Sequence, residues 1–288
     1  MTSLLKRTLS GMIIVAVMVA MILFSVDTLL VLAVLMAVVT IPEFFRLSFP
    51  GEKGLPAGLR YANTLLVTCS MIFATYRVVW QNGPLQWYLL VLPLVFLLIV
   101  LNIYNKYDRS PIRRIDTEIT AFVYIGVPLS LLVALGAQPG AQGETVYNSW
   151  LVLFYVTLIW INDIGAYLVG MSIGKHRLFE RLSPKKSWEG FFGGLILTVI
   201  AAVLLGPYGT KWENTPMWVW IIMGVVLTLS AVAGDLLESM FKREAGVKDS
   251  GSAIPGHGGF LDRFDAMFIS LPFFYTLVRL LELTGQIK

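Results

Sequence analysis

Long apolar segments recur from one end of this chain to the other. An α-helix needs about 20 apolar residues to cross a bilayer, whereas membrane β-strands are shorter and alternate in polarity. Only 14% of the 288 residues are charged and 57% are hydrophobic, while a soluble domain carries about a quarter charged residues. The sequence therefore predicts an all-α polytopic membrane protein. We predict nine spans: 8–25, 28–45, 62–80, 85–104, 118–137, 149–172, 190–207, 216–241 and 264–283.

The basic residues predict the orientation of these spans. Lys and Arg fall almost entirely in alternate loops, beginning with Lys6 and Arg7 before the first span, while the opposite loops hold only Lys211 and the terminal Lys288. Cytoplasmic loops of membrane proteins carry the excess of Lys and Arg. We therefore expect a cytoplasmic N-terminus and a C-terminus outside, in a multi-pass protein of the inner (cytoplasmic) membrane.

The chain divides into two regions by chemistry. Residues 1–148 read as plain spans with short loops, and we assign them to an N-terminal region of five spans. Residues 149–288 add specific polar residues to four further spans. Because these polar residues cluster near predicted cytoplasmic loops, we expect the second region to be catalytic.

Asp235 lies inside an apolar segment, where an ionised carboxylate is costly without a partner and marks a functional site. On a helix, Asp235, Glu238, Ser239 and Lys242 would share one face, because their spacings are three, four and seven residues. A carboxylate, a hydroxyl and an ammonium in one column suit a metal ion and a phosphate chain. The alternative is a helix end that reaches water, with Glu238 and Lys242 merely solvated.

Asp262 and Asp265 repeat this spacing at the start of the last span. They would project from one face of a helix, although Asp262 is also suited to a cap on the helix N-terminus. With Asp235 they could form a site of oxygen ligands. Hard oxygen ligands without a cluster of Cys or His favour Mg²⁺ or Mn²⁺ over Zn²⁺.

The loops near these carboxylates hold further candidates. His257 lies among glycines in "PGHGG", which let the backbone approach a ligand closely. Asp163, in "WINDIGAY", is another carboxylate in an apolar segment, and either a Lys or a metal would explain it. Lys185 and Lys186 in "SPKKSWEG" could grip anionic headgroups or clamp a phosphate. Gly190 and Gly194 form a GxxxG pattern, which is typical of helix packing and leaves a homodimer open.

The segment "SMFKREAGVKDSGSAIPGHGGFLDRFD", Ser239 to Asp265, resembles the defining motif of the phosphatidate cytidylyltransferases (CDP-diacylglycerol synthases). "DIGAYLVGMSIGKHRL" and "LSPKKSWEGFFGG" resemble a second region of that family. The likeness is sharp over residues 160–265, and over the first 148 residues it extends only to hydropathy. These residues of the chain match fixed positions of the motif: Ser239, Lys242, Arg243, Lys248, Asp249, Pro255, His257, Gly258, Gly259, Asp262, Arg263 and Asp265.

The resemblance implies a Mg²⁺-dependent enzyme that transfers CMP from CTP to phosphatidate, giving CDP-diacylglycerol and pyrophosphate at the cytoplasmic membrane face. A second cation is left open. The predicted partners are CTP, phosphatidate and membrane lipids, and we expect no nucleic acid partner. The catalytic set is Asp235, Ser239, Lys242, Asp262 and Asp265, in which Asp235, Asp262 and Asp265 hold the metal. The set that binds substrate is Lys185, Lys186, Arg243, Lys248, Asp249, His257 and Arg263.

Two other functions stay open at this point. One is a CTP-dependent kinase of polyprenols or other lipids, which would use a neutral alcohol as acceptor. The other is a cation-coupled transporter in which Asp163 and Asp235 bind the ion. The basic loops favour a phosphate-bearing acceptor over the kinase. The clustering of polar residues at one membrane face, instead of along a path across, argues against the transporter.

Overall fold

The computed structural model describes residues 3–49, 55–103, 111–140, 142–210, 212, 214–247, 249–251 and 258–287, of which 3–10, 55–57, 103 and 111 are described by backbone only. Two of the predicted site residues, Lys248 and His257, lie outside the described residues. The described chain is dominated by helices. They are α1 (Ser3–Phe24), α2 (Val26–Ser48), α3 (Leu55–Trp80), α4 (Val91–Ile103), α5 (Pro111–Ala121), α6 (Val127–Leu135), α7 (Ser149–Ile173), α8 (Trp188–Gly209), α9 (Met217–Glu244) and α10 (Leu261–Leu283).

Shorter elements complete the secondary structure. A 3₁₀ turn, Leu85–Leu90, leads into α4, and a π turn, Phe122–Gly126, joins α5 to α6 in one continuous helix. Two antiparallel hairpins are present. The first pairs β1 (Ala137–Pro139) with β2 (Thr145–Tyr147), and the second pairs β3 (Arg177–Phe179) with β4 (Ser183–Ser187).

Eight helical segments of the described chain are long and apolar enough to cross a membrane. They confirm eight of the predicted spans and the polytopic all-α class. Their bounds are Val26–Ser48, Gly58–Trp80, Leu85–Asn102, Ile112–Leu135, Ser149–Ile173, Trp188–Gly209, Met217–Glu244 and Leu261–Leu283. The first predicted span, 8–25, coincides with α1, whose described apolar part is Gly11–Phe24. The orientation of the termini stays a prediction.

The chain forms two compact units: the first is Met1–Tyr147 with Glu244–Arg263, and the second is Asn148–Arg243 with Phe264–Lys288. The predicted regions, 1–148 and 149–288, are distinguished by chemistry, which this grouping does not test, so that division stays a prediction. The motif from Ser239 to Asp265 contributes residues to both units.

In the first unit, hydrogen bonds between residues close in sequence fix the start of α2. Ser25 and Thr28 form a capping box at the start of α2: the Ser25 hydroxyl accepts from the Thr28 amide at 3.2 Å, and the Thr28 hydroxyl accepts from the Ser25 amide at 3.1 Å. Such a box satisfies two amides that a helix start leaves without partners. Val67 and Ala74 of α3 pack with Leu98 of α4 in a buried apolar cluster. Phe44 of α2 lies 6.0 Å from Tyr124, ring centre to ring centre.

The second unit is built on a close pair of helices, α7 and α8. A Cβ at Gly190 would lie 2.8 Å from the Ala166 carbonyl oxygen, and one at Gly194 would lie 2.9 Å from the Asn162 carbonyl oxygen. Only glycine permits this backbone approach. The predicted helix packing by Gly190 and Gly194 is therefore confirmed within the chain. Because α7 of the same chain covers this face, the motif gives no support to a homodimer.

A candidate active site in the second unit

A cavity of about 590 Å³ lies in the second unit between α7, the β3–β4 hairpin, α8 and α9. Its wall contains two carboxylates, Asp163 and Asp235, and two ammonium groups, Lys185 and Lys186. Tyr167 and other apolar or aromatic residues supply much of the remaining wall. A concave, largely apolar pocket with a few convergent polar groups is the usual form of a small-molecule site. The structure thus brings four residues singled out in the sequence to one cavity.

Asp235 is joined to the hairpin by an ion pair. The Lys186 Nζ lies 2.5 Å from Asp235 Oδ2, and the two side chains are 24% and 37% exposed. Lys186 is a residue of β4, whose side chains point alternately to opposite faces. The neighbouring Lys185 is more exposed and also lines the cavity. The partial exposure of the pair leaves both groups accessible to a ligand in the cavity.

The predicted polar column on α9 exists, and its members pair along the helix. The Ser239 hydroxyl donates to Asp235 Oδ1 at 3.4 Å. Lys242 forms an ion pair with Glu238 one turn earlier, and the Glu238 side chain is fully buried. The solvated alternative for Glu238 is therefore wrong, because a buried carboxylate needs the partner that Lys242 provides.

Arg243, at the end of α9, reaches the hairpin. Its Nε donates to the Leu182 carbonyl oxygen at 3.2 Å, while the residue stays exposed. Leu182 directly precedes β4, which carries Lys185 and Lys186. This contact helps to hold the lysines beside α9 and leaves other guanidinium donors of Arg243 for a ligand.

Asp265 on α10 joins the same electrostatic group. Its carboxyl lies within electrostatic range of Asp235, of Asp163 and of the Lys186 ammonium. The approach depends on Gly234, where a Cβ would lie 2.7 Å from the Asp265 carbonyl oxygen and 3.1 Å from the Ala266 Cα. The absence of a side chain at Gly234 therefore lets α10 come close to α9 beside Asp235. Three carboxylates facing one lysine favour the binding of a further cation.

The chemistry of these donors fits Mg²⁺, which prefers hard oxygen ligands. Among the described residues, however, no group of three or more Asp, Glu, His or Cys side chains is arranged to hold a metal ion by itself. Mg²⁺ is usually bound through one or two carboxylates together with water and substrate phosphates. The described residues therefore fit a metal that a nucleotide helps to hold, for which Asp235 and Asp265 could supply carboxylate oxygens, and the binding of Mg²⁺ stays a prediction.

The described part of the glycine-rich loop belongs to the first unit. Asp262 Oδ2 accepts from the Ser250 amide and from the Gly259 amide, each at 2.9 Å. Both amides precede α10, so Asp262 joins the two described flanks of the loop, and these contacts are not the predicted helix cap. The assignment of Asp262 to a metal stays a prediction. Asp249 and Arg263 are exposed, and their contacts with substrate stay predictions, as do those of Lys248 and His257.

Sequence reasoning missed Glu43 and Glu118, two buried carboxylates of the first unit. Glu43 is 2% exposed and Glu118 is fully buried. The signal that could have found them is the one used for Asp235, an acidic residue within an apolar span. Both lie near the ends of their spans, where an acidic residue is easily assigned to a loop.

Comparison with known proteins agrees with this arrangement. The family model described as "Cytidylyltransferase family" matches residues 5–281 of the chain. Three similar relatives, all called phosphatidate cytidylyltransferase, come from Staphylococcus epidermidis, S. saprophyticus and S. aureus. They are 42%, 44% and 46% identical to the chain over 121, 121 and 123 residues.

Each of these alignments covers 42% of the chain and 46% of the relative. The chain therefore spans about half the length of the curated relatives it matches. The family model, by contrast, extends over nearly all of the sequence, including the cavity and the glycine-rich loop. The chain, a multi-pass membrane protein with eight described candidate spans, therefore belongs to the cytidylyltransferase family.

Proposed function

We propose that this protein transfers CMP from CTP to phosphatidate, giving CDP-diacylglycerol and pyrophosphate. The observation that carries the proposal is the cavity whose lining includes Asp163, Asp235, Lys185 and Lys186. Both substrates bring phosphates, and two anions that must meet need cations between them. The names of the relatives support the same substrates.

The lysines of β4 would receive the phosphates. Lys186 is paired with Asp235, and this ion pair places its ammonium at the cavity. An arriving phosphate would share Lys186 with Asp235 or draw it away. Lys185 is exposed beside it and would neutralise a second phosphate. Lys242, Arg243 and Lys248 are proposed to contribute further positive charge.

Asp235 and Asp265 would hold Mg²⁺, and Asp262 remains a weaker candidate because two amides already engage its Oδ2. The bound ion would supply charge neutralisation on the nucleotide phosphates. Asp163 contributes to the negative field at Asp265, and this field favours the arrival of a cation. The Ser239 hydroxyl orients the Asp235 carboxylate.

The chemical step is an in-line displacement. A phosphatidate oxygen forms a bond to the α-phosphorus of CTP, the bond from that phosphorus to the bridging oxygen breaks, and pyrophosphate leaves with the electron pair. The nucleophile is already an anion, so the protein needs no strong base. Its task is to position the substrates and to neutralise charge. His257, Asp249 and Arg263 are proposed to shape the loop or to contact CTP.

The site is proposed to face the cytoplasm, where CTP is made, in the inner membrane of a bacterium. The charge distribution of the loops supports this orientation. The relatives with shared sequence come from bacteria. Phosphatidate would present its phosphate at the same membrane surface.

The test uses purified protein in detergent with Mg²⁺, phosphatidate and α-labelled CTP, and follows the label into lipid extract. We expect label in the lipid phase, with loss of transfer on addition of EDTA and in Asp265→Ala. Retention of the label in water, with transfer from γ-labelled CTP to a lipid alcohol, would replace the proposal with a lipid kinase. No transfer to any lipid, with cation-driven uptake in vesicles, would replace it with a transporter.

A further inference from the structure

Glu43 is a buried carboxylate that the proposed chemistry does not use. It lies near the end of α2, only 2% exposed, within a segment apolar enough to cross a membrane. An acidic residue in such a place is costly and marks a function by default. Its contacts are therefore informative.

One oxygen of Glu43 binds the start of α10. Its Oε2 accepts from the Leu261 amide at 2.7 Å, and Leu261 is the first residue of that helix. The first amides of a helix have no partner within it, and the positive end of the helix dipole favours a negative charge there. Glu43 thus acts as a cap supplied from 218 residues away along the chain.

The other oxygen faces the opposite flank of the glycine-rich loop. A Cβ at Gly251 would lie 2.6 Å from Glu43 Oε1 and 3.0 Å from its Cδ. Oε1 is buried and makes no hydrogen bond with any described residue. A glutamine at this position could accept the same hydrogen bond from the Leu261 amide. Capping alone therefore does not explain why a carboxylate is present whose second oxygen has no partner among the described residues.

Asp262 closes the same loop independently. It accepts from Ser250 on one flank and from Gly259 on the other. Asp262 joins the two flanks of the loop to each other, and Glu43 attaches them to α2. The two carboxylates together hold the two described flanks of the loop, 249–251 and 258–261, which lie next to Asp262 and Arg263 or include Asp249.

We propose that Glu43 is a positioning residue for CTP: through Gly251 and Leu261 it fixes the described flanks of the glycine-rich loop, and so places Asp249 and Arg263 for the nucleotide. This inference rests on the proposed function, because Asp249 and Arg263 are assigned to CTP there. Glu43 touches no reacting atom. Its effect reaches CTP through Gly251 and Leu261.

The first test compares steady-state kinetics of Glu43→Ala and Glu43→Gln. Loss of one charge-assisted hydrogen bond at the loop should raise KM for CTP about tenfold in Glu43→Ala, and kcat should fall about as much. KM for phosphatidate should stay unchanged, and Glu43→Gln should lie between Glu43→Ala and the wild type. A folding defect alone would lower the active fraction and leave both KM values unchanged, which would overturn the proposal.

Glu118→Gln is the matched control, since Glu118 is another buried carboxylate of the first unit. It interacts with Asn102 of α4 and, electrostatically, with Arg60 of α3 and Arg114 of α5. We expect KM for CTP to be that of the wild type in this variant. A tenfold rise in KM for CTP in Glu118→Gln as well would assign the effect to general destabilisation and would overturn the proposal.

The second test uses Gly251→Ala. The added methyl group would meet Glu43, so this variant alone should raise KM for CTP about tenfold. Glu43→Asp shortens the side chain and makes room for the added methyl group. Alone, Glu43→Asp should raise KM for CTP. Combined with Gly251→Ala, it should leave KM for CTP unchanged or lower it. Additive losses in the double variant would show that the two residues do not act through one contact.

A third measurement does not depend on activity. Hydrogen exchange of peptides that contain the Leu261 amide should be slow in the wild type and at least about tenfold faster in Glu43→Ala. If exchange is faster in Glu43→Ala but the wild-type protein transfers no label, the contact of Glu43 with the loop is confirmed and only cytidylyl transfer is refuted. If exchange is unchanged in Glu43→Ala and the wild-type protein does transfer label, the role of Glu43 in holding the loop is refuted and the proposed function is not.

Discussion

Glu43 and Asp262 in the first unit and Asp235 and Asp265 in the second all belong to segments that can cross a membrane, yet their partners differ. Glu43 and Asp262 accept hydrogen bonds from backbone amides of Ser250, Gly259 and Leu261. Asp235 pairs with a lysine side chain at the wall of a cavity. Amides fixed in a backbone cannot leave, whereas a partly exposed lysine can exchange its partner for a ligand.

This difference separates carboxylates that organise the fold from carboxylates that are available for chemistry. Substitutions of the buried carboxylates in the first unit should change the stability of the protein or, for Glu43, the position of the loop and with it the KM for CTP. Substitutions in the second unit should change the rate of reaction at normal stability. The predictions below begin with the second unit and end with the first.

The largest effect is expected for Asp265→Asn and Asp235→Asn. Each variant keeps the shape of the side chain but removes a charge from the cluster around Lys186. We expect kcat to fall about 10³-fold, as for loss of a group that stabilises charge in the transition state. We also expect the Mg²⁺ concentration for half-maximal rate to rise. Initial rates of label transfer over a Mg²⁺ titration measure both quantities.

The thermal midpoint in detergent is the control for these two variants, and it should fall little or rise. Removal of one of three neighbouring carboxylates relieves repulsion, so no loss of stability is expected. Full Mg²⁺-dependent turnover in Asp235→Asn would show that this carboxylate does not hold the metal.

A smaller effect is expected for Lys186→Met. The substitution removes the ammonium 2.5 Å from Asp235, and the rate should fall about 10²-fold because phosphate charge loses a fixed cation. Lys185→Met is the matched comparison, since Lys185 is adjacent but exposed. Its rate should fall only about threefold to fivefold, since an exposed ion pair contributes about 0.2–1 kcal/mol. Equal losses in the two variants would mean that pairing with Asp235 does not matter.

Asp262 and Asp265 show what spacing alone can and cannot predict. Their separation of three residues predicts a common helix face, and the helix itself is confirmed as α10. Their partners nevertheless differ, because Asp262 is met by amides of a preceding loop whereas Asp265 is approached through Gly234 of α9. Spacing describes one helix. The role of each carboxylate depends on which residues of other segments contact it.

The same reasoning explains which parts of the site the sequence could reveal. Asp235, Ser239 and Lys242 follow from helical spacing, and their pairing along α9 is local. The ion pair from Lys186 to Asp235 joins residues 49 apart, and Glu43 reaches Leu261 across 218 residues. Apolar periodicity carries no information about such pairs. Only the fold brings them together.

The smallest effect on activity is expected for Glu118→Gln in the first unit. Glu118 is fully buried within electrostatic range of Arg60 and Arg114, and both of these guanidinium groups also lie within 6.0 Å of the Phe49 ring centre. The substitution removes the attraction of Glu118 for both arginines. In a membrane, the unfolded chain also finds partners for such groups, so we expect a loss of only about 1–2 kcal/mol in unfolding free energy.

Turnover per folded molecule should be that of the wild type in Glu118→Gln, because this carboxylate organises α3 and α5 and lies outside the cavity of the second unit. Unfolding in graded denaturing detergent measures the stability, and label transfer at the same protein concentration measures the turnover. A tenfold loss of turnover at unchanged stability would place chemistry among the arginines of the first unit. The division between organising and reacting carboxylates would then fail at the residue where the structure predicts it most directly.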